Sequence, residues 1–288
     1  MVDNVASVDA PLVPAPLVPA TTVWQQFRRY LRLYGAVARY CLARDLEYRT
    51  NMVFNLFREA FYAGLQVMFV SLIYLNVKSV GDWSSDQMLV LMGSYTIVTN
   101  LTYCLFWETM TGLSSLVNTG ELDLVLTKPV NGQFLVSVRR IAFMNLAPAT
   151  FGLVIVSYGL TRLGVQPGLA DILGYLVLCG CGVALCYAMW FSSVLLVFWT
   201  GRMQNIAAVF EPVVSMARVP TDVLRGPIRL AFTFVIPLAF AGTVPARALL
   251  GAGETWHLPF AIVAAIGAVF ASNRLWNRAL REYSSASS

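Results

Sequence analysis

Residues 172–200 read "ILGYLVLCGCGVALCYAMWFSSVLLVFWT", twenty-nine positions without one Asp, Glu, Lys, Arg or His. A hydrocarbon core about 30 Å thick takes about 20 helical residues to cross, so this run predicts a transmembrane helix. Comparable runs recur on both sides of it. Six spans are expected, over 52–77, 88–107, 141–163, 172–200, 230–250 and 258–271. The fifth holds Pro237 and Pro245 and should be bent or broken, because proline lacks the N–H that continues a helical ladder. Arg58 and Glu59 sit early in the first, where long side chains reach the interface or pair with each other.

The composition agrees. Hydrophobic residues make up 58% of the 288 and charged ones 12%, half the share of an ordinary soluble domain. The mean hydropathy is +0.66. The fold class is therefore an all-α integral membrane protein, with six transmembrane helices preceded by an interfacial amphipathic helix. Seventeen of the twenty Lys and Arg residues fall before the first span, within it at Arg58, in the second and fourth connections or after the sixth. Only Lys78, Arg162 and Arg247 fall on the other side. Basic residues near span ends collect in the cytoplasm, so both termini are expected there, in a multi-pass protein of the cytoplasmic membrane. The net charge of +5 needs only anionic lipid as its partner, and no nucleic acid.

Residues 1–22 carry "PLVPA" twice and too many prolines for a helix, so they are expected to form an extended, disordered leader. Residues 23–50 change character. On a helix Trp24, Phe27, Leu31, Tyr34, Ala38, Cys41 and Leu42 share one face, while Arg28, Arg29, Arg32 and Arg39 project from the adjoining sector. That pattern suits a helix lying in the membrane interface, with its apolar face in lipid and its arginines at phosphates. Residues 51–288 form the membrane domain.

Several chemistries lack their parts. No stretch reads GxxxxGK[ST], and neither lysine, Lys78 or Lys128, follows a glycine-rich loop. A single histidine, His257, lies in a short outer loop, so His-based metal sites and Ser-His-Asp catalysis are not supported. Cys179, Cys181 and Cys186 stand among Gly, Ala and Leu and read as small packing residues, not metal ligands. Gly180, Ala184 and Ala188, and likewise Ala264 with Ala268 and Gly267 with Ala271, offer flat faces for helix packing. The spans at 88–107, 141–161, 172–200 and 258–271 hold no ionisable side chain. Ion-coupled carriers commonly keep such groups at mid-membrane, so energy for any transport is expected from outside the membrane.

One polar island breaks the pattern, the connection at 108–140. Its length exceeds the usual range for a simple link. Residues 109–117 should form a short helix, Gly120 a stop, and Leu122, Leu124, Val125 and Leu126 an apolar face that Pro129 ends. A short amphipathic helix hung between two spans is a mechanical handle. The island also carries, in order, Glu108, Gly120-Glu121-Leu122-Asp123, Leu126-Thr127, Pro129 and Arg139-Arg140. With "DLEYRTNMVFNLF" (45–57), "RVPTDVLRGPIRLAFTFVIPLAFAGTVPARALLG" (218–251) and "NRALREYSSASS" (277–288), the chain resembles the type-2 ATP-binding-cassette exporter permeases. The likeness runs over nearly the whole chain apart from the proline-rich leader.

That resemblance implies a permease subunit that dimerises with a second permease, identical or paralogous. It also implies docking of two cytoplasmic ATPase subunits, which hold the ATP and Mg; this chain itself binds no cofactor and catalyses nothing. It makes Glu108, Thr109, Gly120, Glu121, Leu122, Asp123, Leu126, Thr127 and Pro129 the coupling site. Trp24, Phe27, Arg28, Arg32 and Arg39 become its interfacial connecting helix. A non-transporting membrane scaffold or assembly factor is the alternative. No residue points to a substrate site.

Overall fold

The computed structural model describes residues 23–47, 49–200, 206–224, 226, 227, 232 and 238–283. The expected leader, 1–22, lies outside them. Two units separate at residue 36. The first contains the start of α1 (Val23–Glu47) and is taken up with the site. The second, from Val37, holds the end of α1 and everything after it.

Among the described residues of the second unit, five helices are long and apolar enough to cross a membrane: Thr50–Asn76 within α2 (Arg49–Asn76), α3 (Ser85–Asn118), Phe143–Leu163 including α6 (Leu146–Leu163), Leu169–Trp199 including α7 (Leu169–Val194) and most of α8 (Val197–Thr200), and the final helix, His257–Glu282. Local chemistry sets their ends. Ser84 and Gln87 close a capping box on α3, each side chain accepting from the other's backbone N–H, at 3.4 and 2.9 Å. Gly164 ends α6 in the left-handed conformation that a side chain would disfavour (φ 67°). The Asp171 carboxylate accepts from Gly168 N–H at 2.9 Å at the start of α7.

α3 is the axle, packed mainly on α6 and α7. Lipid tails are as apolar as leucine, so spans are held together chiefly by close packing, not by escape from water. The α3–α6 contact supplies it through glycine. A methyl group on Gly93 would lie 2.7 Å from the Gly152 carbonyl, and one on Gly152 would lie 2.9 Å from that of Gly93. Gly182 of α7 does the same against the Phe240 carbonyl. The small-residue faces expected from sequence are used only in part. Ala264 and Ala268 pack on the core, but among the described residues nothing comes within 4 Å of where a methyl group on Gly180 or Gly267 would lie. Buried hydroxyls on α3 look after themselves, since Ser94, Thr96, Thr99 and Thr102 each donate to the carbonyl four residues back, at 2.7–2.8 Å.

The region after α8 departs from expectation. The sequence predicts a connection over 201–229, at the end of the bundle where Glu108 lies, followed by a span at 230–250. Instead α9 (Ile206–Ser215) begins near that end, where Phe210 stacks on Trp190 with centroids 4.7 Å apart. Two 3-10 turns continue it, Met216–Arg218 and Thr221–Val223. The Ala217 carbonyl lies against Gly242, beside Leu91 and Tyr95 of α3. At the opposite end, Asp222 accepts from Trp83 Nε1 at 3.3 Å and pairs with Arg247 at 2.9 Å. Residues 206–223 thus run the length of the bundle. Pro220 explains the break before the second turn, since it cannot donate to a continuous ladder, whereas α9 runs on through Pro212.

Of the expected fifth span, the described part is a 3-10 turn, Leu238–Ala241, and α10 (Thr243–Leu249), both against α7. They lead from Gly182, midway along α7, to Arg247 beside Trp83, and so cover half a crossing. The break expected there falls at Gly242, three residues before Pro245. The last helix is α11 (His257–Glu282), much longer than its predicted 258–271.

Candidate functional site

α3 does not stop where its apolar run does. It continues as one helix to Asn118, so residues 109–117 extend the span in place of the separate short helix that the sequence predicts. Helical propensity explains this, since nothing from Trp107 to Val117 breaks a helix except a tolerated Gly112. Glu108 faces the last turns of α1, where Arg44 grips it in a two-point pair at 3.2 and 3.3 Å. Arg44 also holds Asp45, whose second oxygen accepts from Phe143 N–H at 3.0 Å. Thr109 is buried and donates to the Arg140 carbonyl at 3.4 Å. These contacts tie the end of α1, the extended α3 and the entry to α6 into one corner.

Beyond that corner the chain turns at Gly120, whose φ of 74° suits glycine. Glu121 then opens the short helix α4 (Leu122–Leu126). Its two faces differ sharply: Leu122 and Val125 are buried, whereas Leu124 is 68% exposed and Leu126 36%. Glu121, Thr127, Lys128 and Pro129 are exposed around them. The expected site residues therefore divide. Glu121, Leu126, Thr127 and Pro129 gather at one surface with Leu124, while Glu108, Thr109 and Leu122 face inward as its mounting. Asp123 lies beside Tyr283 at the far end of α11; burial, then the carboxylate, raises the Tyr283 phenol above its ordinary pKa and keeps it protonated.

Sequence reading missed what lies beneath. After Asn131 caps Phe134 N–H at 3.0 Å, α5 (Gly132–Ser137) pushes two polar side chains into the bundle. Gln133 Nε2 donates to Tyr187 Oη of α7 and to Ser272 Oγ of α11, both at 3.1 Å. Ser137 Oγ lies 2.7 Å from the same Tyr187 hydroxyl. All four residues are buried, so each polar group depends on the others. An aromatic cluster surrounds them. Tyr187 meets Phe106 at 4.5 Å, Trp190 meets Trp107 at 5.3 Å, and Phe191 and Phe198 meet Trp276 at 5.7 and 6.1 Å. Packed rings and hydrogen bonds thus join α5, which lies beside α4, to α3, α7 and α11. The available signal was the pair Gln133 and Ser137, spaced four apart in a short helical stretch and so on one face.

The first unit, by itself, is helical from Val23. Trp24 and Phe27 stack at 5.8 Å, and the Arg28 guanidinium sits 5.5 Å over the Trp24 ring. Trp24, Phe27 and Leu31 are each more than half exposed, which leaves an apolar face flanked by Arg28 and Arg32. Arg39, in the second unit, is exposed as well.

Compared with known families, residues 60–287 match the model described as "ABC-2 family transporter protein". No curated protein and no solved structure matches the chain.

Proposed function

Given that this chain belongs to the ABC-2 family of transporter proteins, a family of multi-pass membrane permeases, we propose that it is the transmembrane subunit of an ATP-driven exporter. It moves its substrate across the cytoplasmic membrane when coupled to a separate ATPase. The single observation that supports coupling most strongly is α4: a five-residue helix with Leu124 and Leu126 turned outward and the buried Gln133–Tyr187–Ser272 network directly behind it. An isolated apolar tip ringed by Glu121, Thr127, Lys128 and Pro129 suits insertion into a groove on a soluble partner.

The end that carries Glu108 is cytoplasmic in this reading. Arg44, Arg49, Lys128, Arg139, Arg140, Arg274, Arg278 and Arg281 lie near it, against Lys78, Arg162 and Arg247 at the other. Moving Arg218 away from the cytoplasmic count leaves the imbalance intact. With 206–223 as the interrupted fifth crossing the chain passes the membrane six times, and both termini lie in the cytoplasm. Trp24, Phe27, Arg28 and Arg32 then form the interfacial helix, apolar side in lipid and arginines at phosphates. Two ATPase subunits bind ATP and Mg, and a second permease, identical or paralogous, completes the assembly.

Charge reversal tests the coupling. In membranes that hold the assembled complex, Glu121→Lys with Asp123→Lys should leave ATP hydrolysis running while transport falls. Normal coupled transport in that variant would overturn the assignment of α4.

A further inference from the structure

Arg218 stands where a membrane protein rarely leaves a charge. Its guanidinium lies over the Tyr95 ring, 5.3 Å from the centroid. Tyr95 is ten residues into α3 from Ser85 and twelve before Trp107. At a rise of about 1.5 Å per residue, that places it about 15 and about 18 Å from the two. Trp83 and Trp107 suit the two interfaces, so Arg218 sits close to mid-depth, too far from either for its side chain to reach the head groups. Yet it is exposed, and so are its neighbours Met216 (55%) and Val219 (47%).

Ionisable groups at this depth face protein or a cavity and mark substrate or ion pathways, because facing lipid is costly. The Tyr95 ring softens the cost but supplies no counter-charge. Among the described residues no carboxylate comes within ion-pair distance of Arg218. Glu211, seven residues earlier on the same stretch, lies close enough to act electrostatically on Tyr95 and Tyr103, as Arg218 does, but makes no ion pair with it. A second copy related by a twofold axis along the bilayer normal would set another Arg218 at this depth.

We propose that Arg218 binds the anionic head group, phosphate or carboxylate, of a transported amphiphile at mid-membrane. Tyr95 holds the guanidinium in place, and the exposed Met216 and Val219 side chains meet the apolar part of the cargo. This rests on the permease reading and gives it a substrate class. It adds a charge on the 206–223 stretch, outside the spans that the sequence leaves free of ionisable groups.

The test uses the full chain in phosphatidylcholine nanodiscs, titrated calorimetrically with dodecyl phosphate, dodecyltrimethylammonium and inorganic phosphate. Empty nanodiscs supply the baseline for partition into lipid. Dodecyl phosphate should bind saturably, whereas the cation and inorganic phosphate should not. Arg218→Ala should weaken it by about tenfold or more, the size of one charge-assisted contact, and Arg218→Lys by only about threefold. An unchanged unfolding temperature confirms that the variants fold. Equal binding in Arg218→Ala, or equal binding of the cation, would overturn the proposal. So would loss of dodecyl phosphate binding when phosphatidylglycerol is added to the nanodisc, which would assign the site to resident lipid. These titrations need no ATPase, so the absence of an ATPase partner would undo the permease reading while leaving them standing.

Discussion

Replacing Tyr187 by Phe removes one oxygen and leaves the ring in the aromatic cluster. The loss is specific: Gln133 keeps only Ser272 of its two acceptors, and Ser137 loses its 2.7 Å partner. These groups are at most 8% exposed, so water cannot easily replace the missing hydroxyl. A buried polar group left without a partner costs about 1–3 kcal/mol, and two weakened groups should cost about 2–3 kcal/mol together. For a chain of this length about 1 kcal/mol moves the unfolding midpoint by about 2–4 °C, which predicts a fall of about 4–12 °C in detergent. Pairing the change with Gln133→Leu in a double-mutant cycle should show an interaction energy of about 1 kcal/mol, because the second change removes the donor that the first stranded. In the assembled transporter, Tyr187→Phe should retain the ATPase and lower the transport obtained per ATP, since α4 remains intact while its link to α7 and α11 is loosened. If the midpoint stays within about 1 °C of wild type and the single changes add, the buried network carries no such load.

Three other outcomes follow from the same geometry. Leu124→Glu should abolish retention of the ATPase while shifting the unfolding midpoint by less than about 2 °C, because a surface side chain contributes little to the fold. Leu124 is 68% exposed; pull-down and thermal unfolding in parallel check the expectation. Gly152→Val should destabilise by about 1–3 kcal/mol or block accumulation in the membrane, because an overpacked contact must shift backbone. Its first methyl carbon would already lie 2.9 Å from the Gly93 carbonyl and from Ile97 Cγ1, and the unfolding curve of the purified variant measures the effect. Asp222→Ala frees Trp83 Nε1 and Arg247 at once. Its cost should be about 1 to about 2 kcal/mol in thermal unfolding, with faster protease cleavage in the adjoining 250–256 loop.

The long helices were legible because each needs only a run of apolar residues, a signal that survives without knowing what packs on what. The stretch at 206–223, which runs the length of the bundle, was not. Glu211, Pro212, Arg218 and Pro220 cut its apolar run into pieces too short to count, and only the tertiary contacts of Phe210, Ala217 and Asp222 reveal that the pieces align. Arg218, beside a proline-rich stretch, reads in the sequence as a loop residue, whereas it lies over Tyr95, ten residues into α3. Within the site, the island at 108–140 and its turn at Gly120 were readable from composition and from glycine. Which of its residues point out was not, because α4 is too short for periodicity to separate Leu124 from Leu122. Gln133 and Ser137 stayed hidden because polar residues in a connection look solvated until their partners on α7 and α11 are seen.

Whether a motor pushes on α4 can be asked of the full chain, purified from its own membranes in mild detergent, by chemical cross-linking and mass spectrometry. An ATPase that carries a P-loop should copurify, cross-linked to residues between Asn118 and Pro129 and nowhere on the opposite end of the bundle. A chain that purifies without any nucleotide-hydrolysing partner, or whose ATPase cross-links near Trp83, would mean that α4 is not where the motor acts.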